Sequence, residues 1–243
     1  MRIIGHRGAR REAPENTLAG FRYLRNLGIH HVELDVRLSA DNQLVVIHDS
    51  TVNRTSNGNG AVRAVNAAEL GALDATARFS GWNQPSGIPL LRDVLTEWEE
   101  LESIQLEVKS TEIADLHIIA NGLRDLVQER DLIDIATVTS MDTQLLAIMH
   151  QSAPDIRRGY VAERFTREPL AQCHLYDCSL LAVNYHRVKP ELITQAHDLG
   201  LEFSVWTVND PNIAHRMRDW GADSIITDVP TQMLEALQHG SHF

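Results

Sequence analysis

The sequence predicts an α/β protein folded as a closed (β/α)8 barrel, with an inserted loop segment after the second strand. Short runs rich in β-branched residues alternate eight times with amphipathic helical stretches, a pattern typical of parallel sheets. The length of 243 residues agrees with the roughly 250 residues of one such barrel. One segment rich in Gly, Asn and Ser, at 50–89, interrupts the alternation. Periodicity alone leaves an open parallel sheet as the alternative.

The strand–helix units follow one another along the whole chain. Written as strand and then helix, they are RIIG and ENTLAGFRYLRNL; HVELDVRL and, after the insertion, LRDVLTEWEEL; SIQLEVK and EIADLHIIANGLRDLVQE; DIATVTS and DTQLLAIMHQ; IRRGYV and the weaker REPLAQCHLY; LLAVNY and PELITQAHDL; EFSVWTV and DPNIAHRMRDW; SIITD and PTQMLEALQ. Asp210 and Asp228 each precede a proline at the start of a helix. We expect both to act as helix caps, with the prolines in the first turn.

The segment 50–89 contains RTSNGNG and GWNQPSGIP and lies between the second strand and its helix. A loop this long inside a compact domain is usually functional or disordered. Because it follows a strand, it should emerge at the C-terminal end of the barrel, where active sites of such barrels lie. We therefore predict a single domain, residues 1–243, whose insertion lies over the active-site mouth.

The net charge of −11 argues against nucleic acid and anionic membranes as partners, since both require clustered Lys and Arg. A small anionic substrate remains compatible with a site that is locally basic. No apolar run is long enough to cross a bilayer, and no charged-then-apolar leader is present. We expect a cytoplasmic protein without a stable membrane anchor.

Two carboxylates share one face of the second strand. Glu33 and Asp35 are separated by one residue, which places both side chains on the same face about 7 Å apart along the strand. Such carboxylates repel each other unless a cation lies between them, and a hard divalent metal ion is the simplest candidate. A solvated strand face is the alternative. We disfavour it because Val32, Leu34 and Val36 would face the helices, so that the carboxylates point inward or toward the mouth.

Other chemically capable side chains come at or just beyond the ends of strands: His6, Arg7, His48, Glu107, Lys109 and Trp206. Taken singly, each has a structural explanation, such as a turn, a buried ion pair or a core aromatic. The C-terminal ends of all the barrel strands meet at one mouth, whereas structural accidents would scatter between the two ends. The convergence therefore predicts an active site in which two histidines are available for proton transfer.

The motifs HRG-x5-PENT, E-x-D, HD-x4-RT, E-x-K, VWTVND and GADSIITD occur in this order between Ile4 and about Thr231. In this combination the chain resembles the glycerophosphodiester phosphodiesterase family, in its cytosolic bacterial form. The resemblance implies a TIM barrel that hydrolyses glycerophosphodiesters, such as glycerophosphocholine and glycerophosphoethanolamine, to sn-glycerol 3-phosphate and an alcohol. It implies general acid and base roles for His6 and His48, phosphate contacts by Arg7 and Lys109, a pocket wall at Trp206, and metal ligation by Glu33, Asp35 and Glu107.

An oxygen-only ligand set favours Mg²⁺ or Ca²⁺ over zinc and does not choose between the two. The attacking group is either water or the substrate's own glycerol hydroxyl, the latter passing through a cyclic phosphate. Two further functions are compatible with the resemblance. A lysophospholipase D-like hydrolase would use the same chemistry with a different alcohol pocket. A non-catalytic phosphodiester-binding barrel should have lost a proton-transfer group, yet both histidines are present. The sequence indicates neither a preferred head group nor an oligomeric state.

Overall fold

The computed structural model describes residues 1–98, 100–109, 111–163 and 167–238. Its strands are β1 (Arg2–His6), β2 (His31–Leu38), β3 (Leu44–Val46), β4 (Ser103–Val108), β5 (Ala136–Ser140), β6 (Arg157–Ala162), β7 (Leu180–Asn184), β8 (Glu202–Trp206) and β9 (Ser224–Thr227). Its helices are α1 (Leu18–Asn26), α2 (Ala67–Ala72), α3 (Leu91–Glu97), α4 (Ile113–Glu129), α5 (Thr143–Ser152), α6 (Pro169–Leu175), α7 (Pro190–Asp198), α8 (Pro211–Asp219) and α9 (Pro230–Gln238). Among the described helices, none has both the length and the apolar character needed to span a membrane.

Eight parallel strands close into a ring in the order β1, β2, β4, β5, β6, β7, β8, β9, with β9 pairing back onto β1. Helices connect the strands, so the predicted (β/α)8 barrel is confirmed. The extended segment predicted before His48 forms the strand β3, which is additional to the eight predicted units. It lies outside the ring and pairs antiparallel with the end of β2, where Val36 is opposite Val46.

Alternation along β2 separates the core from the interior of the ring. Val32, Leu34 and Val36 are fully buried in one apolar cluster with side chains of α1, α3 and α4. Successive side chains of a strand point to opposite faces. The intervening Glu33 and Asp35 therefore point into the ring, where they are also buried. The strand face that was predicted to carry the carboxylates is thus enclosed by the barrel.

The segment 50–89 is folded, containing α2 and most of a small apolar cluster that it shares with Val45 and Ile47. That cluster consists of Val45, Ile47, Val52, Val62, Leu70, Ala75 and Ile88. Ion pairs connect the segment to the barrel, one from Arg63 to Asp115 of α4 and another from Arg54 to Glu15. The segment is therefore ordered, so of the two expectations for a long loop, disorder does not apply.

Candidate active site

A cavity of about 190 Å³ opens at the C-terminal ends of the barrel strands. Seven of the eight side chains that the sequence singled out line it: His6, Arg7, Glu33, His48, Glu107, Lys109 and Trp206. The eighth, Asp35, is fully buried and is contacted by Arg7 and Lys109. Among the described residues, none of those lining the cavity comes from 50–89. The position of this segment over the mouth stays a prediction.

Strand register brings the three acidic side chains together. Asp35 of β2 lies directly opposite Glu107 of β4, and Glu33 precedes Asp35 by two residues on the same face. One carboxylate oxygen from each of the three lies within 4.8 Å of the others. Oxygen atoms from three carboxylates at this spacing suit a hard divalent cation.

Two cations partly neutralise this acidic group. Lys109 Nζ lies 2.9 Å from Asp35 Oδ1 and 2.6 Å from Glu107 Oε1, and Arg7 Nε lies 3.0 Å from Asp35 Oδ2. Burial acts to raise the pKa of Asp35, but Lys109 and Arg7 outweigh it and hold that pKa well below its usual range. Asp35 is therefore ionised and keeps both cations at the cavity wall.

At Glu33 the same two cations do not offset burial. Burial raises its pKa well above the usual value, and the neighbouring Asp35 and Glu107 carboxylates raise it further. Its Oε1 atom is buried without a hydrogen-bond partner among the described residues. Among the described residues, Lys109 and Arg7 are the Lys and Arg side chains in contact with these carboxylates, and a further positive charge can lie beside Glu33. These residues fit a divalent metal ion.

His6, at the end of β1, contacts Asp228, which the sequence analysis predicted to be a helix cap. Its Nδ1 lies 2.5 Å from Asp228 Oδ1, and its Nε2 lies 3.9 Å from Glu33 Oε2. Asn209 Nδ2 donates to the other oxygen of Asp228 at 2.8 Å. Burial acts to raise the pKa of Asp228, but the interactions with His6, Asn209 and Arg10 together outweigh it, and the net pKa lies below its ordinary value. An ionised Asp228 thus orients the His6 ring.

The expectation that Asp228 caps a helix is corrected by these contacts. In α9 the Thr231 amide donates to both carboxylate oxygens of Glu12 at 3.2 Å. Asp210, in the similar Asp-Pro motif, does cap α8, because its side chain accepts from the Asn212 amide. A closed ring places the end of β9 beside the end of β1, and that adjacency is the signal that could have indicated the pairing of Asp228 with His6.

His48 follows β3 and faces the cavity from the side of the insertion. Its Nδ1 lies 2.6 Å from Asp49 Oδ1, and its backbone carbonyl accepts from Arg37 Nε at 2.7 Å. Burial lowers the pKa of His48, since an enclosed imidazole is less able to carry charge, and this outweighs the opposing effect of Asp35. His48 is therefore neutral near pH 7. With the proton on Nδ1 shared with Asp49, its Nε2 has a free lone pair.

The Pro-Glu-Asn-Thr motif supports the site, although the sequence assigned it no role. Asn16 Nδ2 donates to Asp35 Oδ2 at 2.7 Å, and Glu15 Oε1 accepts from Arg7 Nη1 at 3.0 Å. Both Arg7 and Asn16 have a φ of 54°. This left-handed conformation is well tolerated by asparagine but unusual for arginine. The backbone bond from Asn16 N to Arg7 O, 2.9 Å long, connects the two turns.

The protein is a TIM-barrel enzyme by its fold and its site. The barrel is closed, and acids, imidazoles and cations lie together at one cavity in its mouth. A profile described as the glycerophosphoryl diester phosphodiesterase family matches residues 6–232, and the chain belongs to this family of glycerophosphodiester-hydrolysing enzymes. The family indicated by the motifs is thereby confirmed.

Relatives of known identity match nearly the whole chain. A glycerophosphodiester phosphodiesterase of Caldanaerobacter subterraneus subsp. tengcongensis is 31% identical over 98% of both chains. Among solved structures, a phosphodiesterase of Oleispira antarctica in complex with the product sn-glycerol-3-phosphate is similar with a TM-score of 0.90 and 25% identity, covering 98% of this chain and 97% of that one. A glycerophosphodiester phosphodiesterase of Agrobacterium tumefaciens is similar with a TM-score of 0.85 and 27% identity, covering 97% and 99%.

Proposed function

We propose that this enzyme hydrolyses small glycerophosphodiesters, such as glycerophosphocholine and glycerophosphoethanolamine, to sn-glycerol 3-phosphate and an alcohol in the cytoplasm. The observation that carries the proposal is the presence of three clustered carboxylates, two imidazoles and two cations around one cavity. The product complex of the Oleispira relative supports the glycerol phosphate half of the substrate.

The proposed cofactor is Mg²⁺ or Ca²⁺ held by Glu33, Asp35 and Glu107. When bound, the ion supplies positive charge near the phosphoryl oxygens, on which negative charge increases in the transition state. Arg7 and Lys109 contact the same phosphate from the cavity wall. Because Asp35 already holds both side chains in place, they require little reorganisation during the reaction, which is the condition under which electrostatic stabilisation is most effective.

The two histidines divide the proton transfers. His48, which is neutral, accepts the proton of the attacking hydroxyl through its free Nε2. His6, oriented by Asp228 through Nδ1, delivers a proton from Nε2 to the departing alkoxide. The attacking hydroxyl belongs either to water or to the glycerol moiety of the substrate, and both need the same base.

The opposite wall of the cavity is less polar and suits the alcohol moiety. Trp206, at the end of β8, packs against Val161 and Ala182, which also line the cavity. Met141 contributes a further apolar side chain to the same wall. Head-group preference is proposed to arise here, because all candidate substrates share the phosphate and differ in the alcohol.

A head-group panel after chelation tests the proposal. The chelated enzyme is assayed on glycerophosphocholine, glycerophosphoethanolamine and lysophosphatidylcholine, with each divalent ion restored separately. The choline or ethanolamine released from each substrate is quantified, together with sn-glycerol 3-phosphate from the two glycerophosphodiesters. We expect activity on the glycerophosphodiesters to vanish on chelation and to return with Mg²⁺ or Ca²⁺. Full turnover in a preparation shown to contain no metal would refute the cofactor assignment. Preference for the lysolipid would transfer the enzyme to the lysophospholipase D-like class.

A further inference from the structure

Arg54, in the segment 50–89, binds two carboxylates at once. Its Nε and Nη2 donate to the two oxygens of Asp49 at 2.7 and 3.1 Å, and its Nη1 and Nη2 donate to the two oxygens of Glu15 at 2.8 Å each. The planar guanidinium thus forms two forks, a geometry that lysine cannot reproduce. Arg54 belongs to the HD-x4-RT motif, and nothing in the proposed reaction uses it directly.

Both carboxylates held by Arg54 contact a residue of the active site. Asp49 Oδ1 lies 2.6 Å from His48 Nδ1, and Glu15 Oε1 lies 3.0 Å from Arg7 Nη1. The hydrogen bond from Arg54 is the largest influence on Asp49, and its pKa falls to about 2. Asp49 is therefore fully ionised and fixed in one rotamer beside the imidazole.

The two carboxylates do not depend on Arg54 equally. Glu15 also accepts from Arg10 Nε at 3.2 Å, and its side chain is only 10% exposed. Asp49 is 29% exposed, and its side chain bonds to His48 and Arg54. Loss of Arg54 would therefore release Asp49 toward solvent while leaving Glu15 largely in place.

We propose that Arg54 is a positioning residue, which fixes Asp49 so that the His48 ring keeps its proton on Nδ1 and presents Nε2 to the cavity. The inference rests on the proposed function only in treating His48 as the base. It gives the segment 50–89 a specific task, the supply of a clamp for His48, in addition to any covering of the mouth.

The consequence is a change in kcat more than in KM. Arg54 does not line the cavity among the residues that the structure describes, so substrate contacts should persist. Supporting residues around a reactive group typically change activity about 10–100-fold when they are removed, and a misplacement of about 1 Å has effects of similar size. We expect Arg54→Gln to lower kcat by roughly 10–100-fold with KM nearly unchanged. Arg54→Lys, which retains the charge, should recover part of this loss.

The experiment combines kinetics with nitrogen-15 NMR of the histidine side chains in the metal-loaded enzyme. The His48 signals are identified by their absence from the spectrum of His48→Gln. In the unaltered enzyme we expect a protonated Nδ1 and an unprotonated Nε2. In Arg54→Gln we expect the two nitrogen shifts to converge as the tautomers mix, and in Arg54→Lys a smaller change.

Arg63→Gln is the matched control. Arg63 lies in the same segment, has a side chain 40% exposed against 42% for Arg54, and forks a single carboxylate, Asp115, away from the cavity. If Arg54 served only to hold the segment in place, Arg54→Gln and Arg63→Gln would have similar kcat values and similar His48 spectra. That result would overturn the inference. A fall in kcat without a change in the His48 tautomer would also overturn it. A fully active His48→Gln enzyme would show that His48 is not the base. If the His48 tautomer of the Arg54 variants still changed in that case, the contact that positions His48 would stand.

Discussion

Asp228→Asn is the substitution that most directly tests the orientation of His6. The two carboxylate oxygens of Asp228 accept from two different donors, His6 Nδ1 at 2.5 Å and Asn209 Nδ2 at 2.8 Å. An asparagine has one oxygen and can accept from only one of them. Asn209 cannot simply turn over, because its Oδ1 already accepts from the backbone amide of residue 228 at 2.8 Å. In the variant, the new side-chain NH2 group therefore lies against either His6 Nδ1 or Asn209 Nδ2, so that two hydrogen-bond donors face each other.

The expected magnitude follows from the type of bond that is lost. Hydrogen bonds to charged groups contribute about 1.5–3 kcal/mol, and about 1.4 kcal/mol corresponds to a factor of ten in rate. Asp228 is buried, so water does not replace the lost acceptor readily. We expect kcat to fall roughly 10–150-fold, with KM little changed, because Asp228 is not among the described residues that line the cavity.

Steady-state kinetics on one glycerophosphodiester, with circular dichroism to confirm folding, measures this effect. Asp223→Asn is the control: Asp223 Oδ2 contacts His197 Nε2 at 2.9 Å, and its backbone carbonyl accepts from Arg2 N at the opposite end of the barrel. The control should keep its kcat. An Asp228→Asn enzyme with normal kcat, or one altered only in KM, would refute the positioning of His6 by this carboxylate.

Four further outcomes are expected. Glu33→Gln should abolish activity and weaken Mg²⁺ or Ca²⁺ binding in calorimetry while the fold stays intact, because an uncompensated buried carboxylate is removed; tight metal binding by the variant would contradict this. His6→Ala and His48→Ala should each lower kcat about 10²–10⁴-fold, and the double variant should lose less than the product of the two effects, as kcat measurements on all three would show. Because the pKa of His48 is lowered by burial, its neutral form persists to lower pH, and the acid limb of the kcat/KM profile should lie below the ordinary imidazole value; a limb above that value would exclude His48 as the base. Trp206→Ala should change the ranking of kcat/KM among substrates with different alcohols, whereas Lys109→Ala should depress all of them by similar factors; the reverse result would mean that the two walls of the site are wrongly assigned.

Elements with a strong local signal were predicted correctly from the sequence. The eight ring strands and their helices follow from periodicity, and the acidic pair at Glu33 and Asp35 follows from alternation within one strand. The cap by Asp210 was also predictable, because its acceptor role involves an amide two residues away. In each case the information lies within a few residues of the feature.

Features that depend on distant partners were not predictable in this way. Asp228 has the same local context as a helix cap, but it bonds to His6, 222 residues away in the chain. The forks of Arg54 depend on Glu15, which lies 39 residues earlier. The folding of the segment 50–89 depends on a sparse apolar set, spread among Gly and Asn, whose members meet only in three dimensions. A single sequence carries no local pattern for such contacts.

The junction between β1 and β9 has a consequence for biosynthesis. Ile4 and Ile226 are paired across this seam, so the first and last strands of the ring close it. Of the ring strands, β1 leaves the ribosome first and β9 leaves it last. His6 ends the first strand of the ring, but its partner Asp228 follows the last one. We expect a nascent chain to acquire turnover only after β9 has emerged, whereas β2 and β4, which carry the acidic cluster, can pair much earlier. Competence for catalysis thus depends on the closure of the ring by β9.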